Sequence, residues 1–285
     1  MVKGLQHVGE RSMQVIAAML GLCCVWEEER SSKRRARAPQ AEACAAKLLA
    51  IAKDPPEWLL EKGGAEIRLH GCLTPAVLAL EALCHGASVD HELRRYDAAE
   101  AKYQEALALA EGDGAAGDKA ALRETGQFAM ALSGVSQLRQ SAAIAACGAT
   151  PSEGIVDTDA LAKAKALPDE VPPEAVALFK ESVGFGLRAL ALIKKLEGDE
   201  SVMAASAHAA LGDVYLSMRN KRVAIMNYAR AAQICEKMLG EAHPETLRLR
   251  SVVGVLAASE PAGKPVEASV ASMPASGPVD SSAFL

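Results

Sequence analysis

The stretch that decides the fold is LGDVYLSMRNKRVAIMNYARAA, residues Leu211–Ala232. Together with the preceding histidine, it has residues at i, i+3, i+4 and i+7, a spacing that predicts one helix face formed by His208, Leu211, Gly212 and Tyr215. A second helical face is predicted from Ala224, Tyr228, Ala231 and Cys235. Because the intervening turn at Met218–Lys221 is short, the two helices are expected to be antiparallel neighbours.

Small and large side chains alternate on these two faces. Gly212 and Ala231 are small where two helices would cross closely, and Tyr215 and Tyr228 are large where a gap must be filled. Interlocking helix surfaces need this alternation, so the residues are predicted to specify packing rather than chemistry.

The composition favours helices over a sheet. Of the 285 residues, 50% are hydrophobic but only 4% are aromatic, so burial must come mainly from Ala, Leu and Val, which suits close-packed helices. An all-α fold is therefore predicted. The formal net charge of -5 gives no overall attraction to nucleic acid, and no nucleic-acid partner is predicted.

The sequence also repeats itself. RALALIKKLEGDES begins at Arg188, and RAAQICEKMLGEAH begins 42 residues later at Arg230. Gly198 and Gly240 stand where these helices are expected to end, and Pro244 is placed to begin another. The spacing around Tyr228 occurs earlier in the chain, at Tyr96, Ala99, Tyr103 and Ala106. A period of this size predicts stacked helical hairpins.

At these residues the sequence resembles the tetratricopeptide repeat. The residues that fit its pattern are Leu211, Gly212, Tyr215, Ala224, Tyr228 and Ala231, with His208 in place of the usual Trp. The 42-residue period and the closing EKMLGEAHPET resemble more narrowly the kinesin light chain type of repeat. The resemblance implies a right-handed α-solenoid of tetratricopeptide-type hairpins. It is strongest over Ala205–Leu256 and extends, more weakly, to Tyr96–Leu132, where Phe128, Ala129 and Leu132 match.

Four regions are predicted along the chain. Residues 1–40 form an apolar helix and a basic linker, 41–73 form short helices that pack on the array, 74–258 carry the repeats, and 259–285 form a disordered tail rich in Pro and Ser. A first repeat helix is predicted over Thr74 to about Cys84, poorly in register with Tyr96, and a last unpaired helix over Pro244–Ala258. Near residues 148–172 the helical pattern is interrupted by Gly and Pro, and either an eroded repeat or an inserted loop accounts for this interruption.

The N-terminal segment Met13–Trp26 is an apolar run. It is shorter than the roughly 20 apolar residues that a membrane-spanning helix needs, so a packed or partner-covered helix is expected. Cleaved targeting, organelle targeting or membrane association through this segment remains the alternative. A cytoplasmic location is expected. The basic run Lys33–Arg37, followed by Pro39, is predicted to be a solvated linker rather than a nuclear address.

The sequence predicts no metal, cofactor or catalytic site. Seven Cys without a C-x-x-C pair indicate free thiols. Metal-ligand residue types cluster without a zinc spacing at His70, Cys72, Cys84, His85 and His91. Gly112, Gly114 and Gly117 are predicted to form a turn rather than a phosphate loop, and no nucleophile elbow or H-E-x-x-H motif occurs. An enzyme is the less favoured class.

The predicted function is binding of other proteins. In the best repeat, the first helix should line a concave surface with Ser206, Ala209, Asp213, Leu216 and Ser217. Tetratricopeptide repeats that capture C-terminal peptides present Lys and Asn there, so Asp213 and Ala209 favour a basic or apolar partner segment instead. The alternative to such an adaptor is a fixed subunit of a larger assembly, with the groove and the N-terminal helix covered by neighbours.

Overall fold

The computed structural model describes residues 13–28, 31–60, 66–67, 71–72, 74–111, 116–148 and 171–258. Within these residues the chain is helical, apart from strands β1 (Glu66–Ile67) and β2 (Gly71–Cys72), which pair antiparallel. The helices are α1 Met13–Glu28, α2 Ser31–Lys53, α3 Glu57–Leu60, α4 Pro75–Glu92, α5 Tyr96–Glu111, α6 Ala116–Arg123, α7 Gly126–Ala146, α8 Pro173–Glu197, α9 Val202–Ser217, α10 Lys221–Leu239 and α11 Pro244–Ala258. The prediction of an α-helical fold is confirmed.

The first compact unit, Met1–Leu138, contains α1–α6 and the N-terminal part of α7. Here α1 packs against α2, α2 against α4, and α4 against α5. Helix α4 begins at an N-cap where the Thr74 side chain accepts a hydrogen bond from the Val77 amide at 3.2 Å. It then runs to Glu92, beyond the predicted end near Cys84.

The predicted basic linker is wrong, because Lys33–Arg37 and Pro39 lie inside helix α2. This segment is helical because one of its faces is rich in alanine and packs against another helix. Ala38 and Ala41 are buried against Val89 of α4, and alanine has the highest intrinsic helix propensity. Together these favourable contributions outweigh the backbone hydrogen bond that a proline removes.

The second unit, Arg139–Leu285, contains the end of α7 and helices α8–α11. Helix α9 packs against α8 and α10, and α10 packs against α11. The bonds join the start of one helix to the end of the other: Glu200, just before α9, accepts from Lys237 near the end of α10, whereas His208 and Asp213, further along α9, bond Asn227 and Tyr228 nearer the start of α10. The two helices are therefore antiparallel, and the turn Met218–Asn220 lies where the sequence predicted it.

The 42-residue repeat is visible in the backbone between hairpins. Gly198 and Gly240 end α8 and α10 with φ of 91° and 95°. Each glycine amide donates to the carbonyl four residues earlier, in both cases at 3.0 Å. These positive φ values are ones that glycine adopts without steric cost, and they explain why glycine occupies both positions. Helix α11 begins at Pro244 and ends at Ala258, as predicted.

The turn within each hairpin also repeats, at a distance of 125 residues. Arg94 and Arg219 both have φ of 60°. The next amide in each case, of Arg95 and of Asn220, donates at 2.8 Å to the carbonyl five residues earlier, which is the 6→1 bond of a Schellman motif. Hairpin α4–α5 therefore has the same turn as hairpin α9–α10, although the residues of the helix before Tyr96 match the repeat pattern poorly, with Gly86 and Asp90 at the positions of Leu211 and Tyr215.

Helices flank the segment near 148–172 directly. Helix α7 continues unbroken to Ala146, α8 begins at Pro173, and residues 149–170 lie outside the described residues. Arg139 of α7 pairs with Glu181 of α8 at 2.9 Å. The two flanking helices therefore contact each other, and the predicted eroded repeat or inserted loop falls on residues outside the described ones.

The N-terminal apolar segment is helical. On α1, Ile16, Leu20 and Cys23 are buried, and Leu22 is exposed. In the part of the chain that the structure describes, no helix is long and apolar enough to cross a membrane. The predicted tail at 259–285 and the ligand-type residue His70 lie outside the described residues, as do Gly112 and Gly114. Gly117 lies in α6 rather than in a turn.

Candidate functional site

The closest approach of α9 and α10 is at Gly212, against the ring of Tyr228. A Cβ atom added to Gly212 would lie 2.8 Å from the Tyr228 Cε1 atom, closer than side chains pack. Tyr228 itself is fully buried. The ring can lie on the helix backbone because residue 212 has no side chain, which is the small-against-large packing that the sequence suggests.

The residues assigned to packing are buried almost throughout. The buried members are His208, Leu211, Gly212, Tyr215, Ala224, Tyr228, Ala231, Ala99, Tyr103 and Ala106. Tyr96 is half-buried, and its ring lies 5.8 Å from that of His91. The Tyr103 ring also occupies the space where a glycine side chain would lie, but that glycine is Gly134 of the following helix α7 and not a residue of the first helix of its own hairpin.

Asp213 does not present its carboxylate to an open groove. The Tyr228 hydroxyl donates a hydrogen bond to Asp213 Oδ1 across the α9–α10 interface. Burial raises the pKa of Asp213 to about 7, although the tyrosine hydroxyl and the charge of Arg248 act in the opposite direction. Burial, and then the neighbouring Asp213 charge, also raises the pKa of Tyr228. The predicted partner-binding carboxylate is therefore an internal hydrogen-bond acceptor.

Two further predicted groove residues are engaged within the second unit. Leu216 is 5% exposed, so its predicted place on an open surface is wrong. Ser217 Oγ donates to the Asp213 carbonyl at 2.9 Å and accepts from Gln140 Nε2 at 3.0 Å, which ties α9 to the end of α7. The remaining two, Ser206 and Ala209, are exposed and half-buried respectively.

The repeat extends this accessible surface onto α11. The residues 42 positions after Ser206 and Ala209 are Arg248 and Ser251. Ser251 is exposed, and Arg248 is half-buried with its guanidinium donating to both carboxylate oxygens of Glu245, from Nε at 2.9 Å and Nη2 at 2.5 Å. We call Ser206, Ala209, Arg248 and Ser251 the first-helix surface. Its residues are small or already paired, so it offers little chemistry of its own.

His208, the substitute for the Trp of the repeat pattern, forms a buried polar contact. Its Nδ1 lies 3.0 Å from Asn227 Oδ1, and the Asn227 amide donates to the Val223 carbonyl at 3.0 Å. Because that second bond leaves the amide oxygen facing the imidazole, Nδ1 carries the proton. His208 Nε2 is buried without a hydrogen-bond partner among the described residues, and burial lowers the pKa of this histidine. The neutral ring therefore fills the core.

A charged cluster in the first unit was missed by the sequence analysis. Asp90 of α4 is 2% exposed and accepts from Lys102 at 2.6 Å and from Arg95 at 2.7 Å. Arg95 also pairs with Glu42 of α2 at 3.1 Å. These bonds join α2, α4 and α5. The available signal was an aspartate next to Val89 in a helix rich in Ala, Leu and Val, since a buried acid requires partners.

The ligand-type residues of α4 can be placed individually, whereas His70 lies outside the described residues. Among the residues that the structure describes, no group of three or more His, Cys, Asp and Glu side chains is arranged to hold a metal. Cys84 is buried with its Sγ 3.8 Å from the Gln127 carbonyl, and His85 lies 3.8 Å from Glu81 with both side chains 1% exposed. Cys72 lies on β2.

Comparison with known proteins suggests no function, so the proposed function rests on the geometry of the structure. No protein-family model matches this chain, and no curated protein matches it.

Proposed function

We propose that this chain is a non-catalytic scaffold or adaptor that binds a peptide or helix of another protein along the first-helix surface. In this proposal the hairpins are of the tetratricopeptide type and stack as a right-handed α-solenoid. A concave surface then follows from the small rotation between successive hairpins.

The observation that carries the proposal is the repetition of both kinds of turn. The turns at Arg94 and Arg219 share their φ and hydrogen bonds, and the helix ends at Gly198 and Gly240 share theirs. Between α9 and α11 the repetition gives equivalent accessible positions, Ser206 and Ala209 on the first and Arg248 and Ser251 on the second, so that a partner can make the same kind of contact twice. The perturbed groups Asp213 and Tyr228 bond each other inside the hairpin, which supports a structural role for them.

The bond between the Tyr228 hydroxyl and Asp213 alters the partner that we propose. Asp213 is half-buried and one of its carboxylate oxygens is engaged inside the hairpin, so it is a weaker reason to propose a basic segment. The first-helix surface has small side chains at Ser206, Ala209 and Ser251, and these leave room for close approach of a partner backbone. A segment with small or apolar side chains fits this surface best.

The test compares bulky substitutions on and off the surface. Ser206→Arg combined with Ala209→Arg should abolish the recovery of cross-linked partners in affinity purification, because two long side chains block the approach. Gln233→Arg, at an exposed position of α10, is the matched control and should leave recovery unchanged. Circular dichroism must show equal helicity in all three proteins. Equal recovery of the same partners by both variants would refute the proposed surface.

A fixed subunit of a larger assembly is the second candidate, and one observation favours it. Large apolar side chains are exposed at the helix ends beside the turns at 198–201 and 240–243, namely Leu196, Val202, Met238, Leu239 and Leu247. The Lys237–Glu200 ion pair joins these two turns, so the exposed residues share one edge of the unit. Co-migration of the whole native pool at one large mass would support this role, whereas a stable monomer would count against it.

A further inference from the structure

Helix α11 is equivalent to α9, the first helix of a hairpin. The Leu247 amide bonds the His243 carbonyl at 3.0 Å, as the Ala205 amide bonds the Ser201 carbonyl at 3.0 Å. The residue at the start of each helix also caps it with a side chain: Ser201 Oγ accepts from Ala204, and His243 Nδ1 accepts from Glu245. Positions 42 residues apart on α9 and α11 can therefore be compared directly.

On α9 the second helix of the hairpin covers one face. Asn227 bonds His208, and the Tyr228 ring lies on Gly212. The equivalent residues of α11 are Arg250 and Gly254, and both are exposed. On the same helix Leu247 is 53% and Val255 is 40% exposed. A Cβ atom added to Gly254 would meet nothing within 4 Å. We call Leu247, Arg250, Gly254 and Val255 the open face of α11.

We infer that the segment 259–285, which follows α11 directly, binds this open face and places the Phe284 ring on Gly254 as the Tyr228 ring lies on Gly212. Phe284 is the only aromatic residue after Tyr228 in the sequence. The positions equivalent to α10 include Pro265, Pro274 and Pro278, and proline disfavours a helix interior. In this inference the occupant is therefore not a copy of α10 but a segment that contributes one ring.

The size of the open face favours a tethered occupant over a separate one. It offers two partly exposed aliphatic side chains and one glycine notch, which is far less than the roughly 1,200 Å² that a stable interface between two proteins needs. A free peptide would bind such a surface with a Kd of about 1 mM at best. A tethered segment reaches an effective concentration of a few mM, so it occupies the face for most of the time.

The tether is also long enough. The 26 residues from Ala258 to Phe284 have a root-mean-square span of roughly 30 Å if flexible. Gly254 lies four residues before Ala258, or about 6 Å along the helix. The segment can therefore fold back without strain. Its acidic residues Glu260, Glu267 and Asp280 outnumber its single Lys264, but Arg250 of the open face already pairs with Glu236 at 2.6 Å, so the inference rests on the ring and the tether rather than on charge.

The experiment is hydrogen exchange of the α11 amides, measured by mass spectrometry on the full chain. Phe284→Ala should accelerate their exchange about threefold to tenfold, the factor expected when a ligand at several times its Kd is lost. Val279→Ala is the matched control within the same segment and should leave exchange unchanged. In a chain that carries Leu247→Ser, the response to Phe284→Ala should disappear, whereas Arg222→Ser on α10 should preserve it.

Three outcomes would overturn the inference. One is identical α11 exchange in the wild-type and Phe284→Ala chains. Another is a response that Leu247→Ser leaves intact, because the ring would then bind elsewhere. The third is protection of α11 that rises with protein concentration in step with dimer formation, which would assign the open face to a second copy of the chain.

Discussion

Replacing Gly212 with alanine tests the packing rule on which the hairpin rests. The new Cβ atom would lie 2.8 Å from Tyr228 Cε1 and 2.9 Å from Cδ1 and Cζ. The ring cannot simply turn away, because it is fully buried and its hydroxyl is bonded to Asp213. Either the helices separate or the hydrogen bond is lost.

The magnitude follows from two opposing contributions. Overpacking of a filled core costs about 1–3 kcal/mol, and loss of a hydrogen bond to a charged group would cost about 1.5–3 kcal/mol. Alanine in a helix is intrinsically better than glycine by about 1 kcal/mol. After this gain is subtracted from either cost, we expect Gly212→Ala to lower the free energy of unfolding by about 0.5–2 kcal/mol.

The matched control is Gly184→Ala on α8, where a Cβ atom meets nothing within 4 Å. There only the helix propensity changes, so the free energy of unfolding should rise by about 0.8–1 kcal/mol. Urea unfolding followed by circular dichroism at 222 nm measures both. The reasoning is refuted if Gly212→Ala is as stable as Gly184→Ala. A double variant with Tyr228→Leu should remove most of the penalty at Gly212, because the two residues are coupled through the ring.

Three further predictions concern charge and backbone. The raised pKa of Asp213 means that the folded protein binds a proton more tightly than the unfolded chain, so the free energy of unfolding should fall as pH rises from about 4 to about 7. Asp213→Asn should remove this pH dependence and raise the free energy of unfolding at pH 8 by up to about 4 kcal/mol. Urea unfolding at several pH values measures both effects. Asp90→Ala should cost about 1–3 kcal/mol, because two cations lose a buried partner, whereas the exposed control Glu105→Ala should cost less than about 0.5 kcal/mol in the same assay. Positions 219 and 240 both have positive φ, which glycine adopts without steric cost. Arg219→Gly should therefore raise the free energy of unfolding by about 1 kcal/mol and Gly240→Ala should lower it by about the same amount, with the melting temperature changing in the same direction.

The regular features of the fold were predictable because local chemistry and packing agree in them. In the sequence, Gly198 and Gly240 indicate helix ends. In the structure, each of them has a positive φ at the end of a helix. The spacing around Tyr228 predicts a buried face, and that residue is fully buried. The linker at Lys33–Arg37 was mispredicted because a basic run followed by proline is a loop signal locally, and only the contact of Ala38 with α4 keeps it helical.

The candidate surface was harder to predict than the fold. Helical periodicity places Asp213 and Leu216 on the side of α9 opposite the assigned packing residues, but it does not show how many neighbours a helix has. In the structure α9 contacts α8 and α10 and is tied to the end of α7, so most of its circumference is occupied. Tyr228 also reaches past Gly212 to the next residue, where it turns an apparent binding carboxylate into an internal acceptor.

The turns show why the α4–α5 hairpin was only partly predicted from the sequence. A Schellman motif usually has glycine at its left-handed position, yet both hairpins have arginine there, at Arg94 and Arg219. A non-glycine residue in that conformation costs about 1 kcal/mol or more, so the turn is not favoured by its own sequence. It must be stabilised by the helices on either side, through contacts such as Tyr228 with Asp213 and Tyr103 with Ser88 at 3.4 Å. The turn within each hairpin is thus specified by long-range packing. Gly198 and Gly240, in contrast, lie at the boundaries between hairpins.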